Sequence, residues 1–299
     1  MTQSQRIGFI GLGMMGAPMA RCLVNAGYRL FLSDADTTRA EALQAELNAA
    51  PLSEDSAATL DVLITMLPNS AIVENVLLGQ DATAWAHRLK QGAVVIDMSS
   101  SEPARSRALS HTLRGLGLAY LDAPVSGGVK RARDGSLAIL VGGDAAVLEP
   151  CMPLLAAMGK SILHIGEAGA GHAAKALNNY VSAAGLMATV EALHVAARFG
   201  IDPAVMTDVL NASTGRSNTS ENKVKQFMLS GTYASGFAMQ LMNKDLKIAR
   251  ALADGVDYPL RVGTTVTSVW DEVARDATPL TDHTEMYRML APDAGPRHD

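Results

Sequence analysis

One lysine in this chain stands where a lysine needs a reason. The stretch "GAGHAAKALNNY" (169–180) sets Lys175 among small apolar residues, with Asn178 and Asn179 just behind it, and Lys175 is the one formal charge between Glu167 and Glu191. On a helix, Lys175 and Asn179 are four apart and share a face, His172 lies three before, and Asn178 is turned about a quarter circle away. Two readings are open. The lysine stem packs while its ammonium reaches water, or the amine works as an acid/base, held by an amide beside the room left by Gly166, Gly169 and Gly171. His172 is a second candidate for the proton, weighed against the ordinary packed or solvated helical histidine.

Further constellations accompany it. "LDAPVSGG" (121–128) ends in Ser126, Gly127 and Gly128, a hydroxyl and two unshielded amides that suit a carboxylate or phosphate. The alternative is a flexible loop between strands, and Asp122 reads as a structural hydrogen-bonder. "GFIGLGMMGAPMA" carries Gly11, Gly13 and Gly16 in G-x-G-x-x-G spacing, with Leu12, Met14 and Met15 between them, after a strand and at the opening of a helix. There Gly11 permits the tight turn, Gly13 lets backbone approach a pyrophosphate, and Gly16 lets helix and strand pack closely. Asp34, ending the next strand, is placed to accept from a ribose hydroxyl or to cap the following helix. "MLPNS", with Leu67 and Pro68, and "DMSSSEP", with Ser100, follow two more strands, as cofactor contacts or as ordinary turns. "MQLMNKDLKIA" sets Lys244 and Asp245 in an apolar segment, where a helix-stabilising cluster with Lys247 is the plainer reading.

The elements that must position these residues follow from periodicity. Runs at 6–10, 28–33, 61–67, 93–98 and 118–123 read as strands, and 14–26, 37–48, 70–78 and 103–114 as helices. That alternation implies βαβ units and a parallel sheet, extended by 136–143 and 161–166. After Gly169 the pattern is helical, broken at 200–203, 213–217 and 255–259. The division expected is a dinucleotide-binding Rossmann-type α/β domain over 1–165 and an all-α domain over 166–299. A helix over 170–199, about 45 Å long, connects them.

Bulk properties bound the function. At 48% hydrophobic and 18% charged, the chain is globular rather than disordered. A net charge of -5 argues against a nucleic-acid binder. Cys22 and Cys151 are the only cysteines, too few for a disulfide scaffold, which fits a reducing, cytoplasmic setting. The start has no signal-peptide pattern. The apolar run 181–190 is too short to span a bilayer. No metal-ligand cluster stands out.

Taken in order, "GFIGLGMMGAPMA", "ITMLPNS", "VIDMSS", "LDAPVSGG", "GAGHAAKALNN" and "LMNKDL" resemble the signatures of the β-hydroxyacid dehydrogenases, relatives of 6-phosphogluconate dehydrogenase, over residues 6 to 290. The resemblance implies a Rossmann domain, a long interdomain helix, an all-α domain and a homodimer or homotetramer. It implies NAD, with NADP as the variant, and a small carboxylate substrate, either a β-hydroxyacid or its semialdehyde. It implies Lys175 as acid/base with Asn179 beside it, and Ser126, Gly127 and Gly128 on the substrate carboxylate. Ser100 would lie near nicotinamide and substrate, Lys244 on the cofactor, and Phe237 and Asp245 at the edge of the site. Asn218 departs from the tryptophan often found there in the hydroxyisobutyrate branch, and 219–227 is more polar than that branch. Rival expectations are an imine or sulfonate-substrate reductase of the same fold, or a non-catalytic nucleotide-binding sensor or assembly module.

Overall fold

Short apolar runs without polar alternation form strands buried on both faces, as a sheet covered by helices requires. The computed structural model describes residues 5–79 and 84–291. Its first part runs β1 (Arg6–Ile10), α1 (Gly16–Asn25), β2 (Arg29–Ser33), α2 (Thr37–Leu47), β3 (Ala50–Pro51), α3 (Glu54–Ala57), β4 (Val62–Thr65) and α4 (Ser70–Leu78). It continues through β5 (Val94–Asp97), α5 (Pro103–Gly115), β6 (Ala119–Asp122), β7 (Val125–Ser126), α6 (Gly128–Arg133), β8 (Leu137–Gly142), α7 (Ala145–Ala156) and β9 (Gly159–Gly166). The sheet order is β3-β2-β1-β4-β5-β6-β8-β7, with β9 also paired to β8.

From β3 to β6 all pairs are parallel. The parallel sheet is extended by β8 and β9 as the sequence implies, with one exception to the parallel order: β8 runs antiparallel to β6 and β7, and parallel to β9. Between β6 and β8 lie only the two-residue β7 and the six-residue α6, without the full crossover helix that a parallel neighbour requires.

The pleat sends alternate residues to opposite faces. Ile7, Phe9, Leu30, Leu32 and Ile64 pack with Met19 and Leu23 of α1. Ile10, Phe31, Leu63 and Val95 pack on the other face with Val73 and Leu77 of α4 and Leu109 and Leu113 of α5. Chain order reverses at β1, flanked by β2 and β4, which is where such sheets open a crevice beyond their carboxyl ends.

The remaining elements are helical: α8 (Ala170–Arg198), α9 (Pro203–Ala212), α10 (Asn218–Asn222), α11 (Met239–Asp254), α12 (Arg261–Arg275) and α13 (Met286–Met289). The chain divides into two compact units between Lys175 and Ala176, inside α8. Leu186, Val190 and Leu193 of α8 are fully buried in the second unit's core with Val266 and Trp270 of α12 and Leu246 of α11. The run 181–190 proves to be part of a 29-residue helix, long and apolar enough by composition to cross a bilayer. One face, with Leu186, Val190 and Leu193, is buried in the second unit's core, while Leu177, Val181 and Val195 are exposed.

Candidate active site

In the first unit, the turn after β1 is shaped by steric necessity. Gly11 has φ +97°, and a Cβ there would lie 2.3 Å from the Met66 carbonyl oxygen. A Cβ on Gly16 would lie 1.8 Å from the Gly11 oxygen, so only glycine allows α1 to begin this close to the strand. Gly13 has open space on its Cβ side, and Met14 beside it is 72% exposed. No side chain caps α1 at Met15, so the helix presents its first amides to an incoming group. A pyrophosphate suits uncapped amides beside an open glycine, which is the fit a dinucleotide requires. Leu12 takes no part through its side chain, which lies in the core, and its N–H donates to Asp34 Oδ2 at 2.6 Å.

Asp34 does not cap α2. That place belongs to Asp36, whose side chain accepts from Arg39 N. Asp34 Oδ1 instead accepts from Asp36 N at 2.8 Å and from the Arg39 guanidinium at 3.3 Å. The carboxylate is therefore fixed at the end of β2, beside the glycine turn.

Two buried carboxylates end the next strands. Asp97, at the end of β5, accepts from Thr65 Oγ1, Ser99 N and Ser101 Oγ, which shapes the loop holding Ser100. Ser99 Oγ accepts from Leu67 N at 2.9 Å, tying that loop to the segment that holds Pro68. Asp122, at the end of β6, accepts from Gly169 N at 2.6 Å and His172 N at 2.8 Å. It fastens the start of α8, the helix that carries Lys175, as a structural hydrogen-bonder would. A Cβ on Gly171 would lie 2.3 Å from the Leu140 oxygen, so the helix start seats directly against the strand ends.

His172 completes this clip. Its Nε2 donates to the Ser99 carbonyl at 3.1 Å, and Nδ1 accepts from Ser106 Oγ at 2.7 Å. Both nitrogens are committed and the ring is buried, which removes the histidine from competition for the acid/base role. Lys175, three residues on, is 8% exposed and the one lysine in the buried class among the described residues. Ser126 pairs with Ala138 in the β7–β8 ladder. Gly127 and Gly128 follow with φ of +131° and +66°, so the loop is an ordered turn rather than a slack connection.

In the second unit, Asn179 is held from two sides. Its Nδ2 donates to Asp245 Oδ2 at 2.5 Å, and its Oδ1 accepts from Asn178 at 3.1 Å. Lys244 Nζ lies 3.9 Å from the other Asp245 oxygen. Lys247 pairs with Asp271 at 2.8 Å. Phe237 donates its N–H to Asp282, accepts from His283 at its carbonyl, and sets its ring edgewise on the His283 ring at 5.6 Å. Residues 216–222 form a capped turn: Ser217 and Ser220 make a capping box at α10, and Arg216 pairs with Glu221 at the surface.

Sequence reasoning did not anticipate Asp97 as an organiser or the Asp282–His283 pair. The strand-ending "VIDM" was a signal for the first; the second lies far from every motif. Nor did it single out Lys223, which lay within the noted polar stretch.

Residues 6–166 match the family model of the NAD binding domain of 6-phosphogluconate dehydrogenase. Residues 169–290 match that described as NAD-binding of NADP-dependent 3-hydroxyisobutyrate dehydrogenase. The chain is 38% identical to 2-(hydroxymethyl)glutarate dehydrogenase of Eubacterium barkeri, over 91% of this chain and 90% of that one. It is 35% identical to the NAD-dependent L-serine dehydrogenase of Pseudomonas aeruginosa, over 97% and 99%. The solved structure of Mycobacterium tuberculosis 3-hydroxyisobutyrate dehydrogenase with L-serine superposes with a TM-score of 0.89 at 31% identity, over 96% of this chain and 99% of that one. With the glycine turn, the strand-end loops and the anchored helix in one chain, and both family models met in order along it, the protein belongs to the β-hydroxyacid dehydrogenases, NAD(P)-dependent oxidoreductases acting on the CH–OH of hydroxyacids.

Proposed function

We propose that the chain interconverts a small β-hydroxyacid and its semialdehyde, with Lys175 as the acid/base. The observation that carries this is the burial of Lys175 on a helix whose start is fastened by Asp122 and His172. As an ammonium, Lys175 donates a proton to the forming alkoxide during reduction; as a neutral amine it accepts that proton during oxidation. Asn179, one turn further along α8 and held by Asp245, restrains the hydroxyl side. The nicotinamide, when bound, supplies the hydride chemistry.

Ser126 and the amides of Gly127 and Gly128 hold the substrate carboxylate, and Ser100 borders the reacting carbon. Leu67, Pro68 and Lys244 contact the cofactor with the turn 11–16. Asp34 accepts from the ribose 2′-hydroxyl and disfavours a 2′-phosphate. The Arg39 guanidinium nearby is already engaged by Asp34 and Asp36.

The deciding experiment is Lys175→Ala. Turnover of the best hydroxyacid should fall about 10²-fold or more, while NADH binding followed by fluorescence stays close to wild type. A folded variant that keeps its kcat removes Lys175 from the role.

A further inference from the structure

The face of α8 that carries Lys175 and Asn179 continues to Ser182, seven residues after the first. The helical period places all three within about 60° of one another. Lys223 Nζ lies 3.5 Å from Ser182 Oγ, and among the described residues this is its one hydrogen bond. That is a long contact for an ammonium with three protons to give. Burial lowers the Lys223 pKa to about 8, against the pull of Asp282.

The neighbours do not satisfy this cation. Asp282 already accepts from Ser235 Oγ, Gly236 N, Thr284 N and Thr284 Oγ1. His283 directs Nδ1–H at the Phe237 carbonyl at 3.0 Å, and its buried Nε2 has no partner. Arg216, the other cation of the segment, faces solvent beside Glu221. Lys223 also sits where α10 gives way to a single π-type turn, Val224–Met228, an irregularity found often at functional sites. A half-buried ammonium with one long hydrogen bond, balanced in charge by a carboxylate whose oxygens already accept several other donors, keeps protons to give to a further acceptor.

We propose that Lys223, with Ser182, receives a second carboxylate of the substrate, so that the enzyme selects a dicarboxylic β-hydroxyacid over a monocarboxylic one. This rests on the β-hydroxyacid reading above. Seven residues at the helical rise put Ser182 about 10 Å along α8 from Lys175. That span suits a chain of glutarate length between the reacting end and a far carboxylate, and exceeds what 3-hydroxyisobutyrate offers. The charge on Lys223 provides the affinity, with Asp282 and His283 beside it.

The test compares wild type with Lys223→Met, which keeps the stem and removes the charge, and Lys223→Arg, which keeps the charge. Each is assayed on 2-(hydroxymethyl)glutarate and 3-hydroxyisobutyrate, and titrated calorimetrically, with cofactor present, with glutarate, which cannot react. In Lys223→Met the ratio of kcat/KM for the two substrates should fall tenfold to about a hundredfold, the scale for losing a charged hydrogen bond, mostly through KM. Glutarate affinity should fall likewise, and Lys223→Arg should recover part of both. An unchanged ratio, or equal glutarate affinity in wild type and Lys223→Met, overturns the proposal. If neither hydroxyacid is oxidised but glutarate binding still depends on Lys223, the carboxylate site stands and the activity reading falls.

Discussion

Two buried histidines, one in each unit, make opposite use of their rings. His172 has both nitrogens partnered, with the Asp97 and Asp122 carboxylates 3.8 and 3.7 Å away. His283 has Nδ1 engaged by Phe237 and Ser235, while Nε2 is buried without a partner and Lys223 acts on it electrostatically. A fully satisfied network behaves as a clip: it fixes the loop 97–106 to the first turn of α8 and leaves nothing over for a ligand. A partly satisfied one keeps capacity in reserve, which is where a polar substrate group can be received. The pairing of residue types, His with Asp and Ser, is nearly the same in both places. Function separates on the count of unmet hydrogen bonds.

The largest effect should come from breaking the clip at its charge. Asp122→Ala leaves the Gly169 and His172 amides without their acceptor, and should cost about 3 kcal/mol in urea unfolding, with kcat reduced because the turn before Lys175 loosens. A loss near zero would show that water replaces the carboxylate and that the clip is not what positions α8. A smaller and more discriminating measurement sets His172→Phe against His283→Phe. The first strands the Ser99 carbonyl and leaves Ser106 Oγ only its bond to the Glu102 carbonyl, and should cost about 2 kcal/mol; the second removes a ring with one unmet nitrogen and should cost about half as much. Equal costs would erase the distinction drawn between the two networks.

The smallest effect is in the pH profile. Burial lowers the His283 pKa from 6.5, Asp282 raises it by its hydrogen bond, and Lys223 lowers it further; the net shift is downward. The unfolded chain therefore takes up this proton at a higher pH than the folded one, and stability contributed here is present above about 6.5 and lost as pH falls below it. Asp282 adds an acid limb of its own. Burial would raise its pKa, but hydrogen bonds from His283, Thr284 and Ser235 outweigh it, so the folded value lies far below that of the unfolded carboxylate. Its contribution holds above pH 4 and disappears in stronger acid. Urea midpoints from pH 8 to 5 should decline in wild type and decline less in His283→Phe. Parallel profiles would mean that the ring is not held neutral by the fold.

Much of this was legible in the chain. The helices expected at 37–48, 70–78 and 103–114 are observed at Thr37–Leu47, Ser70–Leu78 and Pro103–Gly115, because each begins or ends on a local signal: the Asp36 cap, the Asn69 cap, and Pro103 in the first turn. The glycine spacing, the strand ends and the helical breaks at 200–203 and 255–259 are likewise local. The antiparallel β8 was not legible, since strand direction depends on which neighbour the chain returns to. The partners of His172 lie 66 and 73 residues away, and no periodicity carries that information.

By itself, then, the order of amino acids determined what short-range physics decides: a glycine turn that opens a helix without a side-chain cap, strands buried on both faces, and a long apolar helix carrying Lys175 and Asn179. Tertiary structure alone decided how each polar group is satisfied. It gave Asp34 to the glycine turn and the α2 cap to Asp36, spent both nitrogens of His172 on a clip, and left Lys223 with one long bond to Ser182. The reason is the cost of burial. A polar side chain taken out of water must find its partner wherever folding brings one, so the shortfall that marks a binding site exists only once the distant segments have met.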